Sequence, residues 1–309
     1  MSDDLDLLVI GDANPDVVLT GVPGELAYGQ AEQLVEAGTL TVGGSAAILA
    51  CGAARLGLRV GLVAAVGDDA AGRFMLDELQ ARSVDVGGCH VVENVPSGLT
   101  VNLSRGDDRA VLTSLGSIMV LEAAMVERAL LRSARHVHAS SFFLQPALAA
   151  GLRGLFDEAH AGGASTSLDT NWDPDERWNG SLSDALPAVD ILFVNEEEAR
   201  AIAGVAGDAE AAAGALAKRG PLPVVKLGSE GALAWHGGRA LRASAPTVRV
   251  ADAVGAGDSF DAGFLCGHLA GRDTAASLAL AVACGTLSTR LAGGVDGQAT
   301  LAEAEAALL

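Results

Sequence analysis

The residues with the clearest chemical potential lie in a glycine-containing stretch at positions 251–265, which runs into an apolar, alanine-rich segment. Gly255, Ala256 and Gly257 are small enough for backbone N–H groups to approach an anion, and a helix starting here would direct its positive dipole end at that anion. Asp258 would repel a phosphate, so its position favours a general base that takes a proton from the group attacking the phosphate. The alternative is that Asp258 only caps a helix.

Two further segments place polar or small residues where a ligand could bind. Asn14 and Asp16 follow an apolar run at 6–10, and their side chains could hydrogen-bond the hydroxyl groups of a polyol. Gly43 and Gly44 open a helical pattern, and a glycine pair lets the backbone touch a ligand. Ordinary turn chemistry is the alternative for both segments.

Apolar runs that alternate with helical patterns position these residues and predict an α/β fold. Strands are predicted at 6–10, 59–66, 136–140, 164–168, 191–194, 223–227, 232–236 and 247–250, and helices at 71–82, 121–132 and 146–161. Several of these strands end in polar or glycine-rich turns. In open α/β sheets ligands bind beyond the carboxyl ends of the strands, so the pattern predicts an active site along that edge.

Residues 97–115 interrupt this alternation. They read as two strands around the turn Arg105-Gly106-Asp107-Asp108, which predicts an antiparallel hairpin. Together with a short strand at 16–20, the hairpin would form a small separate sheet beside the ligand edge. Such a sheet is a candidate lid, and a surface hairpin without a role is the alternative.

Composition excludes several classes of function. The 309 residues are 50% hydrophobic and 4% aromatic, and they carry a formal net charge of −19. This charge argues against a nucleic-acid partner and against an anionic membrane surface. The start of the chain lacks the features of a signal peptide, and polar residues interrupt the apolar segment at 275–291, which is therefore expected to be a core helix.

The four cysteines are far apart and form no C-x-x-C pair, which argues against zinc and against a disulfide framework. A reducing cytoplasm is the expected location.

The motifs, taken together, resemble the ribokinase-like (PfkB) carbohydrate kinases over essentially the whole chain. D-A-V-G-A-G-D-S-F at 252–260 is the most specific of them. G-G-x-A-x-x-x-A at 43–50, N-x-x-E at 195–198 and K-L-G-S-E-G at 226–231 occur in the family's order. The resemblance implies a doubly wound, mostly parallel sheet flanked by helices. It implies a single domain, 1–309, whose small β-sheet lid comes from about 15–42 and 95–115 and often helps to form a homodimer.

The resemblance also implies roles for individual residues. Asp258 would be the catalytic base, and the N–H groups of Gly255, Ala256 and Gly257 would stabilise the charge that develops on the transferred phosphoryl group. Asn14, Asp16, Gly43 and Gly44 would bind the acceptor.

The same resemblance implies ATP and Mg²⁺ as cofactors. Asn195 and Glu198 would hold Mg²⁺ and the phosphates, largely through water, although Glu198 could instead be a solvated carboxylate at the start of a helix. Lys226 would add charge near the phosphates. The ATP site would be completed by Gly228, Ser229 and Gly231.

Departures from the family pattern bear on specificity. Ile48 replaces an asparagine common in sugar kinases, which weakens an assignment to ribose. Val282 stands near the adenine pocket, where ribokinases tend to have asparagine, so adenine selectivity is open. Asp173 stands where an arginine is usual, which disfavours an anionic acceptor, although Arg177 could partly substitute. Ala253 and Val254 replace the threonines usual in the monovalent-cation loop, so a bound monovalent cation stays an open alternative.

The expected function is ATP-dependent phosphorylation of a primary hydroxyl group on a neutral sugar or polyol. A nucleoside kinase is the nearest alternative, in which Phe142, Phe143 and Trp172 could stack on a base. A sugar sensor without catalysis is less favoured, because the motif that contains Asp258 is intact. A Rossmann-type dehydrogenase fails, because no G-x-G-x-x-G follows the first strand.

Overall fold

The structure, a computed structural model, describes residues 4–105, 108–178 and 180–308. Its strands are β1 (Leu5–Ile10), β2 (Asn14–Thr20), β3 (Ala37–Gly43), β4 (Val60–Val63), β5 (Ala65–Gly67), β6 (Val84–Asp85), β7 (His90–Val92), β8 (Leu99–Arg105), β9 (Asp108–Ser114), β10 (Ala134–Ala139), β11 (Ser165–Asp169), β12 (Ile191–Asn195), β13 (Leu222–Lys226), β14 (Ala232–His236) and β15 (Arg239–Ala243). Its α-helices are α1 (Ser45–Arg55), α2 (Ala70–Ala81), α3 (Arg128–Ser133), α4 (Pro146–Ala161), α5 (Ser181–Ala185), α6 (Glu196–Ala203), α7 (Ala209–Ala217), α8 (Ala256–Leu269), α9 (Thr274–Ser288) and α10 (Leu301–Ala306).

In the described part of the chain, nine strands form a large sheet in the order β15-β14-β13-β12-β11-β10-β1-β4-β6. Pairing is parallel from β6 through β13 and antiparallel at β14 and β15. Apolar side chains from the two faces of this sheet enter two separate core clusters, each covered by helices. The predicted doubly wound sheet is confirmed.

The strand order reverses at β1, which has β4 on one side and β10 on the other. Chain segments that leave neighbouring strands in opposite directions open a crevice at the carboxyl ends of those strands. The segment after β1 and the loop after β10 border this crevice, so the predicted ligand edge coincides with the switch point.

A smaller sheet with the order β3-β2-β8-β9 stands apart from the large one. Strand β2 pairs with β3 in the antiparallel sense and with β8 in the parallel sense, and β8 pairs with β9 as a hairpin. The predicted small sheet is confirmed, with β3 as an additional strand. Gly106 and Asp107 of the predicted turn lie outside the described residues.

Two local predictions are wrong. Residues 247–250 form no strand; β15 at Arg239–Ala243 is the last strand, and the irregular segment after it lies beside a cavity described below. The helix expected at 121–132 is reduced to a 3₁₀ turn, Ala123–Met125, and the short α3. The apolar segment at 275–291 forms helix α9 as expected, and among the described residues no helix has the length and hydropathy to cross a membrane.

Candidate active site

Helix α8 begins at the candidate anion hole. Gly255 is its N-cap residue and has a left-handed φ of 69°, which glycine adopts without strain. A Cβ atom at Gly255 would lie 2.7 Å from Gly294 Cα, so this position requires glycine. The N–H of Ala256 donates to a carbonyl three residues earlier, at 3.3 Å. Among the described residues no backbone acceptor pairs with the N–H of Gly257 or Asp258, so both donors are available to an anion.

Asp258 lies in the first turn of α8, with its side chain half-buried. It is not the N-cap residue and makes no capping hydrogen bond, so the capping alternative is wrong. Burial raises the pKa of Asp258 to about 7, and the charge of Asp169 adds to the increase. Lys226 and a hydrogen bond from Ser45 act in the opposite direction. A carboxyl group whose pKa is near neutrality is suited to accept a proton at physiological pH.

Asn171 fixes the position of Ser45. Its Nδ2 donates to Ser45 Oγ at 2.7 Å and to Ser141 Oγ at 3.0 Å. Asn171 and Ser141 both have left-handed backbone conformations, with φ of 52° and 55°. Such conformations are unfavourable for residues other than glycine and cluster at functional sites. The start of α1 and the ends of β10 and β11 are thereby tied together next to Asp258.

Lys226, at the end of β13, lies in a buried cluster with two carboxyl groups. Its Nζ is 2.6 Å from Asp169 Oδ2 and 3.2 Å from Asp261 Oδ2. Burial alone would raise the pKa of Asp169, but the charge of Lys226 lowers it to about 2. Burial raises the pKa of Asp261 well above its usual value, whereas Asp169 makes the shorter contact with Lys226.

The position of Lys226 matters for the start of α8. A Cβ atom at Gly257 would lie 3.3 Å from Lys226 Nζ, so the ammonium group lies directly against the first turn of this helix. Lys226 thus joins the first turn of α8 to the ends of β11 and β13, and its predicted contribution of charge near the phosphates stays a prediction.

Asn195 and Glu198 form a capping box at the start of α6. The N–H of Asn195 donates to Glu198 Oε2, and the N–H of Glu198 donates to Asn195 Oδ1, each at 2.8 Å. Glu198 is 5% exposed, so the alternative of a solvated carboxylate is wrong. Burial raises the pKa of Glu198 to about 7, and the charge of Asp169 adds to it.

These two residues meet the chemical requirements of Mg²⁺, which prefers carboxylate and carbonyl oxygens and retains several waters. A cation beside Glu198 would also relieve the electrostatic cost of a carboxylate buried near Asp169. In the described part of the chain no cluster of three or more His, Cys, Asp or Glu side chains has metal-binding geometry. A metal ion here would therefore complete its coordination with water and phosphate.

The predicted acceptor residues meet between the small sheet and the start of α1. Asn14 Nδ2 donates to Asp16 Oδ1 at 3.3 Å and to Thr100 Oγ1 at 3.1 Å. Asn102 Nδ2 donates to Asp16 Oδ2 at 3.1 Å. A Cβ atom at Gly43 would lie 1.8 Å from Asp16 Oδ1, so only glycine leaves room for this carboxylate.

Asp12 organises the adjacent turn. Its carboxylate accepts hydrogen bonds from the N–H groups of Ser45 and Ala46, at 3.2 and 3.1 Å, although it lies more than thirty residues earlier in the sequence. Gly44 has φ of 82°, and a Cβ atom there would lie 2.8 Å from Asp12 O. Asp12 therefore fixes the glycine pair and Ser45 next to the crevice.

A cavity of about 440 Å³ opens beside the first turn of α8. Its wall contains Lys226, Gly228, Ser229 and Gly231, which the sequence predicted to lie together, and also Ala256 and Gly257. Asn195 and Glu198 are not part of this wall. The remaining wall residues are Ala245, Pro246, Thr247, Val248, Val250, Ala253, Phe260, Val282, Gly285, Thr286 and Thr289.

The acceptor-specificity argument from Asp173 does not stand. The Asp173 carboxylate accepts hydrogen bonds from the N–H groups of Asp175, Arg177 and Trp178, at 3.0, 2.8 and 2.8 Å. It therefore builds a turn. Arg177 faces Asp175 at 3.6 Å on the exposed surface.

Asp252, at the predicted monovalent-cation loop, also has a structural task. Its Oδ1 accepts from Val254 N at 3.0 Å and its Oδ2 accepts from Gly293 N at 2.9 Å, which closes the loop onto the segment after α9. A monovalent cation at this loop stays a prediction.

Sequence reasoning did not single out Asp12, Ser45, Asp169, Asn171 or Asp261 as site residues. The signal available for two of them was the polar stretch that follows the strand at 164–168. Asp261 lies one turn after Asp258 on α8, so helical spacing alone would have placed both carboxyl groups on the same side of the helix.

Comparison with known proteins agrees with this geometry. The family described as pfkB family carbohydrate kinase matches residues 4–300. An ATP-dependent ribose-1-phosphate kinase from Halopiger xanaduensis is 31% identical over 286 residues, which cover 91% of each chain. A fructoselysine 6-kinase from Shigella flexneri is 29% identical over 248 residues, 78% of this chain and 87% of the relative.

Among solved structures, ribokinase from Arabidopsis thaliana in complex with ribose and ATP superimposes with a TM-score of 0.86. It is 23% identical, and the match covers 98% of both chains. This similarity establishes the ribokinase-like fold.

Proposed function

The chain belongs to the pfkB family of carbohydrate kinases, phosphotransferases with an alcohol group as acceptor, and we propose that it transfers the γ-phosphoryl group of ATP to a primary hydroxyl group of a neutral sugar or polyol. The observation that carries this proposal is Asp258, a carboxylate with a pKa of about 7 beside unpaired N–H groups at the start of α8. This arrangement supports the proposal, because phosphoryl transfer to a hydroxyl group requires a proton acceptor next to an anion site.

In the proposed reaction, the acceptor oxygen forms a bond to the γ-phosphorus while the bond from that phosphorus to the bridging oxygen breaks, and ADP leaves. Asp258 takes the proton of the acceptor hydroxyl group. The predicted donors Gly255 N–H and Gly257 N–H, together with the N–H of Asp258, would donate to the oxygens of the phosphoryl group as charge develops there, whereas the third predicted donor, Ala256 N–H, already pairs with Ala253 O. Asn195 and Glu198 would hold Mg²⁺, which supplies charge neutralisation of the phosphates.

The charges around the crevice support a neutral acceptor. The described side chains next to the proposed acceptor position include Asp12, Asn14, Asp16 and Asn102, which are carboxyl and amide groups. Lys226 is paired with Asp169 and directs no free charge at an acceptor. A sugar phosphate or sugar acid would be repelled by the carboxylates.

The small sheet supports a role as a lid. Asp16 on β2 and Asn102 on β8 are hydrogen-bonded to each other, so the strands of this sheet carry the groups proposed to bind the acceptor. Closure of the sheet over the acceptor would exclude water from the phosphoryl transfer. Leu40 on β3 and Leu112 on β9, each more than half exposed, lie on the same face of this sheet, opposite the face that carries Asp16 and Asn102, and offer apolar contact to a second copy of the chain. Analytical ultracentrifugation of wild type and a Leu112→Glu variant tests this dimer.

A nucleoside acceptor is the second candidate, because aromatic side chains lie beside Asn171. Phe142, Phe143, Trp178 and Trp172 contact one another edge to face, with ring centroids 5.3, 5.6 and 4.9 Å apart in that order. Trp172 is 44% exposed and is free to stack on a base.

A panel of acceptors distinguishes these candidates. ADP release from Mg·ATP is measured with neutral sugars, polyols, sugar acids, sugar phosphates and nucleosides. A hit among neutral sugars or polyols supports the proposal, and a hit restricted to nucleosides moves the chain to the second candidate. Nucleotide binding without turnover on any acceptor would favour a sugar sensor and contradict the proposed activity.

A further inference from the structure

We infer that the donor site accepts purine nucleoside triphosphates as a class, so that GTP and ITP serve beside ATP. This inference rests on the proposed function, because it concerns the donor of the same transfer. The bond that breaks lies between the γ-phosphorus and its bridging oxygen, GDP or IDP leaves in place of ADP, and the acceptor's proton still goes to Asp258. The base takes no part in these bond changes, so only its recognition decides which donor is used.

The cavity has a phosphate end and a base end. Gly257, Lys226 and Ser229 mark the phosphate end, because they lie at the first turn of α8 and at the turn after β13. The opposite end is formed by the irregular segment after β15 and by helix α9. Its side chains are either apolar, as in Pro246, Val248, Val250, Phe260 and Val282, or carry a hydroxyl group, as in Thr247, Thr286 and Thr289.

In the described wall of the cavity, no side chain at the base end has the amide, carboxylate or guanidinium group that pairs with a purine edge through two hydrogen bonds. Of the described residues that line the cavity, none is Asn, Gln, Asp, Glu, Arg, His or Tyr. The hydroxyl group of Thr289 already donates to Thr286 O at 2.8 Å. The hydroxyl groups of Thr247 and Thr286 can each donate or accept, so they pair with adenine or guanine alike. Adenine and guanine differ in the donors and acceptors at their edges, and proteins distinguish them with amide, carboxylate or guanidinium groups. An apolar pocket discriminates between similar ligands by only about 10- to 200-fold, whereas a hydrogen-bonding site reaches about 10⁴-fold or more.

The backbone at the base end does not select adenine over guanine. Residues 244–250 have no regular secondary structure, and among the described residues no backbone partner pairs with the N–H of Thr247, Val248 or Val250. A peptide strand presents donors and acceptors in turn. It can therefore pair with the N6 amino group and N1 of adenine or, after a small shift, with O6 and N1–H of guanine.

Calorimetric titration of the intact protein with Mg·ADP, Mg·GDP and Mg·IDP tests the inference without an acceptor. We expect dissociation constants within about 200-fold of one another. A preference for ADP greater than this overturns the inference and leaves the proposed kinase function in place. Failure of all three nucleotides to bind overturns both. Once an acceptor is known, kcat/KM with GTP and ITP should lie within the same range of the value for ATP.

Two substitutions at one position sharpen the test. Val282→Asn introduces an amide that can pair with N6 and N7 of adenine but not with both acceptors of guanine, so the preference for ADP over GDP should rise at least about fivefold. Val282→Ala only removes apolar contact area and should weaken both nucleotides by the same factor. Thermal unfolding of both variants checks that they fold. An unchanged ADP/GDP ratio in folded Val282→Asn would show that Val282 does not face the base, and would overturn the assignment of the base end.

Discussion

Acidification should slow turnover well above the pH at which an ordinary aspartate titrates, because the proposed base must be ionised to accept a proton. With a pKa of about 7 for Asp258, roughly 10% of the base is ionised at pH 6 and roughly 1% at pH 5. The rate should therefore fall about tenfold for each pH unit below 7. An aspartate at the reference value of 3.8 would leave the rate nearly flat down to pH 5.

The Ser45→Ala substitution tests the same prediction in a second way, through the direction in which the pH profile shifts. The Ser45 hydroxyl group lowers the pKa of Asp258 by a hydrogen bond, so its removal should move the acidic limb to higher pH. We would measure kcat/KM from pH 5 to 9 by chromatographic quantification of ADP, which avoids coupling enzymes with their own pH dependence. Protonation of ATP affects both proteins equally, so the difference between the two profiles belongs to the protein. A wild-type profile that stays flat to pH 5, or a limb that moves to lower pH in Ser45→Ala, would refute the reasoning.

Three further predictions concern the metal, the acceptor and the core. Glu198→Gln keeps the oxygen that accepts the capping hydrogen bond but removes the negative charge. The Mg²⁺ concentration for half-maximal activity should therefore rise about 10- to 100-fold without loss of thermal stability. An unchanged Mg²⁺ requirement would show that Glu198 does not hold the metal. Asp16→Ala should raise the KM for the acceptor far more than the KM for ATP, as measured by steady-state kinetics with each substrate varied in turn. A larger increase in the KM for ATP would exclude a role of Asp16 in acceptor binding. Burial lowers the pKa of His138 to about 3, whereas the unfolded chain binds a proton near 6.5. The contribution of His138 to the free energy of unfolding should therefore decrease by about 1.4 kcal/mol per pH unit as the pH falls from 6.5 towards 3. Urea unfolding at pH 7 and pH 5 should show a smaller pH effect in His138→Asn than in wild type, and equal effects would contradict this assignment.

The buried histidine belongs to a chain of hydrogen bonds beneath α8. Ser167 Oγ lies 2.7 Å from His138 Nδ1 and 2.6 Å from His136 Nε2, and Ser140 Oγ lies 2.8 Å from His138 Nε2. Ser165 Oγ continues the chain from His136 Nδ1 at 2.7 Å. Every ring nitrogen of the two histidines has a hydroxyl partner, which explains how two neutral imidazoles are accommodated in the core.

The sequence predicted the large sheet because its central strands are apolar runs of a length typical of buried strands. It also singled out Asn14, Asp16, Gly43 and Gly44, which meet in the structure because β2 pairs with β3 in the antiparallel sense, with Asn14 opposite Gly43. The strand expected at 247–250 was wrong for a physical reason. Thr247, Val248 and Val250 of this segment line the cavity beside α8, and periodicity alone cannot distinguish a cavity wall from a strand.

The contacts that set the electrostatics of the site were beyond sequence reasoning. One such contact is the ion pair between Lys226 and Asp169, which are 57 residues apart in the sequence. The same applies to Asp12, which caps α1 from 33 residues away. Spacing within one segment cannot reveal such pairs, because they depend on which strands become neighbours in the folded sheet.

The most direct test of the account is single-turnover phosphorylation by Asp258→Asn, with Mg·ADP binding measured on the same preparation. The substitution keeps the size of the side chain and removes the proton acceptor. The account predicts a rate at least about 100-fold below wild type, with an unchanged affinity for Mg·ADP. Turnover close to that of wild type, in a variant that still binds the nucleotide, would contradict the assignment of Asp258 as the base.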